Sequence, residues 1–239
     1  MDKAVQRIIK AIQGEEKTVI YSDYDTDGIP AGVALHDFFK KTGFKNFTNY
    51  IPHRHDEGFG LNEDAIRAFI EDGVKLLITI DCGIADVEHV KLAQENGIDV
   101  IVTDHHIPGA VLPPAFAIVN PKQADCQYPE KMLCGAGVIY KVIQGVLARE
   151  RFGIKEGWEK WLLDMIGIAT LSDMVPLVGE NRVFAYYGLA VLRKSPRKGL
   201  VRLLQKLKID QRYLTEDDIG FMIGPRINAA SRMGVPMDA

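Results

Sequence analysis

Three short segments deliver acidic and imidazole side chains directly out of apolar runs: IYSDYDTDG with Asp23, Asp25 and Asp27, LITIDCG with Asp81, and VIVTDHH with Asp104, His105 and His106. Carboxylate oxygens combined with imidazole nitrogen suit Mn²⁺ or Mg²⁺ better than a thiolate site would. Two such ions about 3.5 to 4 Å apart can activate water and stabilise both the attacking and the leaving oxygen of a phosphoryl displacement. Asp25 and Asp27 stand two residues apart, so a strand extended through them would turn both carboxylates to one side. Gly28 then frees the backbone to turn into the next element. A single aspartate at a strand end is an ordinary turn former or helix N-cap. Three strand ends, one with adjacent histidines, point to a shared centre.

Such a centre needs an architecture that gathers three strand ends on one edge. Strands are predicted near Thr18 to Ser22, Phe47 to Ile51, Lys75 to Ile80, Asp99 to Thr103 and Phe116 to Val119, with helices over Ile29 to Lys41, Glu63 to Glu71 and Ala85 to Glu95 between them. This alternation predicts an α/β fold, a parallel sheet flanked by helices. In such a sheet the carboxyl ends lie along one edge, where ligands bind. After NPKQADCQYPEK the pattern turns almost wholly helical, over Gly137 to Arg151, Trp158 to Leu171, Asn181 to Arg193, Gly199 to Leu207 and Glu216 to Met222. Residues 1–130 are therefore expected to form an α/β metal-binding unit, and 131–239 a mostly helical subdomain of the same catalytic core.

Composition narrows the class. With 47% hydrophobic residues in 239, the chain can bury a substantial core. Cys82, Cys126 and Cys134 form no CxxC pair, which argues against a disulfide scaffold or a cysteine zinc site and favours a reducing, cytoplasmic setting. MDKAVQRIIKAIQGEEK is amphipathic at helical spacing and charged throughout, unlike a signal peptide, and no run is apolar enough to span a bilayer, so no membrane association is expected. A net charge of -3 argues against nonspecific coating of nucleic acid, while leaving room for a local basic groove.

TDHH, read with DYDTDG and IDCG, resembles the motif set of the DHH phosphoesterase superfamily, in the same order along the chain. IPHRHDEGFGLN, LCGAGVIYKV, IATLSDMVPLVGENR and FMIGPRINAASRMG resemble its RecJ branch, so that the likeness covers nearly the whole sequence. The resemblance implies two Mn²⁺ or Mg²⁺ ions, with Asp25 serving one, Asp27 the other, and Asp81 bridging both. It places His105 and Asp173 with Asp27 on the second ion, Asp104 behind His105 as its orienting partner, and His106 beside the scissile phosphate. Taken from the residues alone, Asp173 in LSDMVPL could equally be a polar end to an apolar helix before Pro176. Other superfamily members carry a histidine four residues before the first aspartate of the DxD pair. Tyr21 stands there, as a different residue does in RecJ-like members, and Asp23 or water is left to complete the first shell.

Within GPRINAASRMG, the resemblance implies contact of Arg226, Asn228 and Arg232 with the nucleic-acid backbone, a task that guanidinium groups suit, although surface arginines are common without it. Ser231 stands where the family usually has glycine. Arg54, in a segment with Phe59, could offer charge beside a stacking face. Gly135 and Gly137 open a predicted helix where backbone N–H groups could meet phosphate or where helices pack closely. The expected activity is metal-dependent hydrolysis of single-stranded DNA from the 5′ end. The alternatives are a phosphodiesterase for short oligonucleotides or cyclic dinucleotides, and a noncatalytic DHH-fold binding or scaffold protein. The sequence shows neither the DHHA1-type nor the OB-type domain that the resemblance would place at the C-terminus, so a further domain or a partner protein is expected to complete the groove.

Overall fold

A computed structural model describes residues 1–238. After helix α1 (Asp2–Gln13) the chain alternates β1 (Thr18–Ser22), α2 (Gly28–Thr42), β2 (Phe47–Tyr50), α3 (Glu63–Glu71), β3 (Leu76–Ile80), α4 (Val87–Glu95), β4 (Asp99–Thr103) and β5 (Ala117–Val119). The five strands form one parallel sheet in the order β2-β1-β3-β4-β5. The sequence of β3, LLITI, is buried at every position, as expected for a strand covered on both faces. Alternate side chains serve two cores. Ile20, Leu76, Ile78, Ile80 and Ile101 pack toward one face, while Val19, Tyr21, Leu77, Val100 and Val102 pack toward the other with Ile66 and Phe69 of α3 and Val90 of α4.

Strand order reverses at β1, because the chain passes to β2 on one side and returns to β3 on the other. A crevice opens at the carboxyl ends there. Register makes that edge chemically dense. Ser22 pairs with Ile80 and Ile80 with Thr103, so the next residue on each strand, Asp23, Asp81 and Asp104, lies side by side across three neighbours.

The second half is helical, as the pattern predicted: α5 (Gly135–Arg149), α6 (Leu163–Ser172), α7 (Gly179–Leu192), α8 (Lys198–Leu207) and α9 (Gly224–Met233). Its apolar residues continue the core of the first sheet face without a break, Val138, Ile139 and Val142 of α5 joining Ile166 and Ile168 of α6. Residue 130 thus marks a change of secondary structure within one packed body.

Three details depart from expectation. The stretch predicted as one helix from Trp158 splits into a 3₁₀ turn (Trp158–Leu162) and α6, the turn being entered through Gly157 at φ 83°. The helix predicted over Glu216 to Met222 is a wide π turn (Asp218–Ile223). It winds directly into α9, which the sequence reading did not anticipate. Pro225, lacking an N–H, sits in the first turn of α9, where that donor is not needed.

Helices α6 and α7 meet at Gly167 and Gly188, where a Cβ on Gly188 would come within 2.6 Å of the Gly167 Cα. Replacing Gly188 by Val should therefore force the helices apart at a cost of about 1–3 kcal/mol. A lower urea midpoint with an unchanged slope checks it, and an unchanged midpoint would contradict this account of the packing.

Candidate metal centre

The turn after β1 is built by its own aspartates. Asp25 Oδ1 accepts from the Asp27 and Gly28 amides at 2.7 and 3.0 Å, bending the chain into α2. The strand is therefore not extended through Asp25 and Asp27, and their carboxylates do not share a side by strand alternation. Asp27 instead points to the first turn of α5, where its oxygens accept from the Gly135 and Ala136 amides at 2.6 and 2.8 Å. Those N–H groups, read from sequence as a possible phosphate cradle, hold a protein carboxylate. Gly135 is required for a second reason: a Cβ there would lie 2.6 Å from the Asp81 Cβ. Gly137 donates to Cys134 Sγ at 3.4 Å and faces Leu133, so it serves the helix start and its packing.

Asp81 occupies the left-handed region at φ 61°, uncommon for a residue with a side chain and tolerated best by Asp, Asn and Gly. Its Oδ1 is buried and has no hydrogen-bond partner, as is true of Asp23 Oδ1. His105 Nε2 lies 3.1 Å from Asp81 Oδ1 and 3.6 Å from Asp27 Oδ2, and its Nδ1 lies 3.8 Å from Asp173 Oδ2. Potential ligand atoms fall into three overlapping groups within 4.8 Å: Asp23, Asp25 and Asp81; Asp27, His105 and Asp173; and Asp81, His105 and His106. Asp81 belongs to two of them. Asp23 thus stands where the first group lacked a ligand, while Tyr21 donates to the Gly60 carbonyl and lies buried against Tyr50.

Electrostatically the centre is overcharged. Burial, then neighbouring Asp25, pushes Asp23 up to about 7, and the same two causes raise Asp173 to about 6. Asp27 and Asp81 are raised by burial and by surrounding carboxylates, Asp173 foremost for Asp27 and Asp27 foremost for Asp81. Burial lowers His105 to about 4, keeping its imidazole neutral and able to donate a lone pair. This donor set, with unpartnered buried oxygens and a neutral imidazole, fits hard divalent cations of the manganese or magnesium kind.

Asp104 has a role different from the expected one. Its Oδ1 contacts His106 Nδ1 at 2.7 Å and accepts from the His105 and His106 amides, while Oδ2 accepts from the Ile84 amide. It orients His106 rather than the His105 ring. Burial alone would raise Asp104, but the hydrogen bonds from His106 and Ile84 hold it below the usual carboxylate range. The bond to Asp104 in turn raises His106.

Around this core, Arg54 lies 4.7 Å over the Tyr24 ring, and exposed Phe59 meets the edges of Tyr24 and His106. Asn228 Oδ1 accepts from the Thr26 amide at 2.9 Å, so this side chain braces the aspartate turn against α9. Arg226 is exposed and donates to the Met222 carbonyl, and Arg232 is exposed at the end of α9, its carbonyl 3.2 Å from His55 Nε2. Ser231 sits inside α9, where no glycine-specific angle is needed. Two residues escaped the sequence reading. Asn120, following β5 as the aspartates follow their strands, is buried and donates to the His106 carbonyl. Lys122 places positive charge near His105 and Asp173.

Comparison with known proteins gives a consistent picture. The profile of the DHH family, N-terminal domain, matches residues 17–170. The single-stranded-DNA-specific exonuclease RecJ of Bacillus subtilis is 44% identical over 234 residues, covering 98% of this chain and 28% of that protein. The protein of the same name from Haemophilus influenzae is 38% identical over 239 residues, covering 98% and 42%. The chain therefore spans less than half the length of these curated relatives. A crystal structure of exonuclease RecJ bound to manganese superposes with a TM-score of 0.87 at 31% identity, covering 98% of this chain and 58% of that one.

The surplus of buried carboxylates yields a linked pair of expectations. In the fold Asp23 and Asp173 keep protons up to about pH 7 and 6 that the unfolded chain releases near pH 4. Across that window the folded state binds more protons, so metal-free stability falls as pH rises. Mn²⁺ competes with those protons, so its thermal shift should be larger at pH 8 than at pH 5. Asp81→Asn should raise the melting temperature of the metal-free protein at pH 8 and remove most of the Mn²⁺ gain. Calorimetry with and without chelator reads both, and a metal-independent stability in the wild type would contradict the centre.

Proposed function

The chain belongs to the DHH family, and from that membership we propose that it is the catalytic core of a RecJ-like, metal-dependent phosphodiesterase acting on single-stranded DNA from its 5′ end. The observation that carries this reading is Asp81, whose unpartnered buried oxygen faces His105 while the residue is shared between two ligand groups. Asp23, Asp25 and Asp81 would hold one ion, and Asp27, His105 and Asp173 the other. When bound, two such ions supply Lewis acidity that activates water and offsets charge on the phosphoryl oxygens.

The chain's own residues do the remainder. His106 is tied to Asp104 through Nδ1, which leaves Nε2 directed to chemistry and keeps the ring cationic at higher pH than an ordinary histidine. A cation there offsets negative charge growing on the phosphate. Arg54, steadied on Tyr24, and the exposed ring of Phe59 offer a guanidinium and a stacking face for a base beside the scissile bond. Arg226 and Arg232, both exposed on α9, suit the strand backbone. Exposed Met174 and Val178, within five residues of Asp173, support a groove whose other wall comes from a further domain or a partner protein. The 5′ polarity is what the resemblance to the RecJ branch implies, and single-stranded DNA is what its relatives are named for.

Incubated with Mn²⁺, the chain should shorten a single strand from its 5′ end and spare duplex. Intact 5′-labelled strands alongside cleaved dinucleotides would replace this reading with a short-oligonucleotide phosphodiesterase. His106→Ala should lower turnover by about 10²-fold or more while preserving the Mn²⁺-induced thermal shift. Asp104→Asn should move the pH profile of turnover to lower pH as His106 loses its partner.

A further inference from the structure

At the far ends of α2 and α6 lies a second concavity. These helices approach the metal centre through Asp27, at the start of α2, and Asp173, at the end of α6. Their opposite ends converge on an open cavity of about 450 Å³ lined by Asp37, Lys40, Lys41, Trp158, Trp161 and Arg197. The 15 residues of α2 put it about 20 Å from the metal centre along the helix axis.

The only two tryptophans of the chain are both here, three apart in the 3₁₀ turn, a spacing that stacks side chains on one side. Trp161 is half exposed, so much of its indole is open to solvent at the mouth of the cavity. The floor is rigid. Arg197 is committed to buried Asp164 and to Asp37 at 2.6–2.7 Å, and Ser195 donates to Asp164. The rim is cationic: among the described residues Lys40, Lys41 and Lys194 form no ion pair, and the ammonium groups of Lys41 and Lys194 hover 5.9 and 5.7 Å over Trp158 and Trp161. Eight of the twenty residues from 193 to 212 are Lys or Arg against one acid, so the adjoining surface is basic although the whole chain is acidic.

Each part narrows the ligand. Flat indole faces take a planar ring. A carboxylate would favour the guanidinium fork, but the one arginine is already occupied on both edges; the free lysines instead suit phosphate as point charges. We propose that this cavity is a nucleotide-binding site separate from the metal centre, taking a base between the tryptophans and its phosphate on Lys40 and Lys41. The inference goes beyond the phosphodiesterase reading and does not require it. A free mononucleotide and a nucleotide within a strand share this chemistry.

Because both tryptophans line the site, intrinsic fluorescence reports on it directly. With chelator present to silence the metal centre, titration with dTMP should quench the emission saturably, about tenfold more tightly than thymidine or inorganic phosphate. Lys40→Ala with Lys41→Ala should weaken dTMP about tenfold, and Trp161→Leu should weaken it while Trp158 still reports. Urea midpoints near wild type establish that these variants fold. Asp81→Asn should leave the titration unchanged, which separates this site from the metal centre. A dodecamer of thymidylate binding far more tightly than dTMP identifies a strand as occupant, and equal binding a free nucleotide; either outcome supports the site. Quenching that never saturates, is equal for thymidine and dTMP, survives the lysine substitutions, or disappears in Asp81→Asn would overturn it.

Discussion

Two backbone amides hold the centre together. The Gly135 and Ala136 N–H groups, unsatisfied in any helix that begins there, close on the two oxygens of Asp27. The first turn of α5 carries the positive end of its helix dipole, so the bond is favoured by field as well as by geometry. It also fixes placement. Asp27 begins α2, so one carboxylate pins the start of α2 to the start of α5, and both helices then pack on the same face of the sheet. Gly135 must lack a side chain because Asp81 occupies the space a Cβ would need. A single contact thereby sets the distance between the strand edge and the helical half.

The remaining carboxylates depend on that anchor but are not satisfied by it. Amides compensate Asp25, Asp27 and Asp104, whereas Asp23 Oδ1 and Asp81 Oδ1 are buried with nothing to accept from. An uncompensated buried acceptor costs about 1–3 kcal/mol, more for a charged group. The chain accepts this cost at the one edge where strand order reverses, and the left-handed backbone of Asp81 adds strain at the same point. Elsewhere its buried charges are paired, as with Arg197 and Asp164. The contrast separates a site suited to cations from an ordinary buried ion pair.

Much of this was legible in the sequence because it follows from period and order. Alternating β-rich runs and amphipathic stretches gave the parallel sheet, and the aspartates ending β1, β3 and β4 placed the centre on its edge. The missed features follow from contacts that sequence spacing does not encode. Whether Asp25 and Asp27 continue a strand or form a turn is decided by hydrogen bonds to their own amides. Which histidine Asp104 meets is decided by a local bend in the backbone after β4. Helix α9 lacks a strong apolar stripe, its small residues Ala229, Ala230 and Ser231 giving no helical pattern to read; its docking rests on Asn228 and Thr26, over 200 residues apart. Asn120 was visible in principle, since it ends β5 as the aspartates end their strands.

Burial also explains why the two histidines of DHH diverge. They are neighbours in sequence with ring centroids 4.6 Å apart, yet their charge states are driven in opposite directions. His105 is enclosed, and desolvation removes its proton despite the surrounding carboxylates. His106 is half exposed and tied to an ionised Asp104, so it holds its proton more firmly. One backbone bend thus yields a lone-pair donor facing inward and, facing the crevice, an imidazole that keeps its proton to higher pH than an ordinary histidine. The two roles require different solvent exposure, and the bend that follows β4 provides it, leaving the His105 side chain about 10% exposed and that of His106 about 48%.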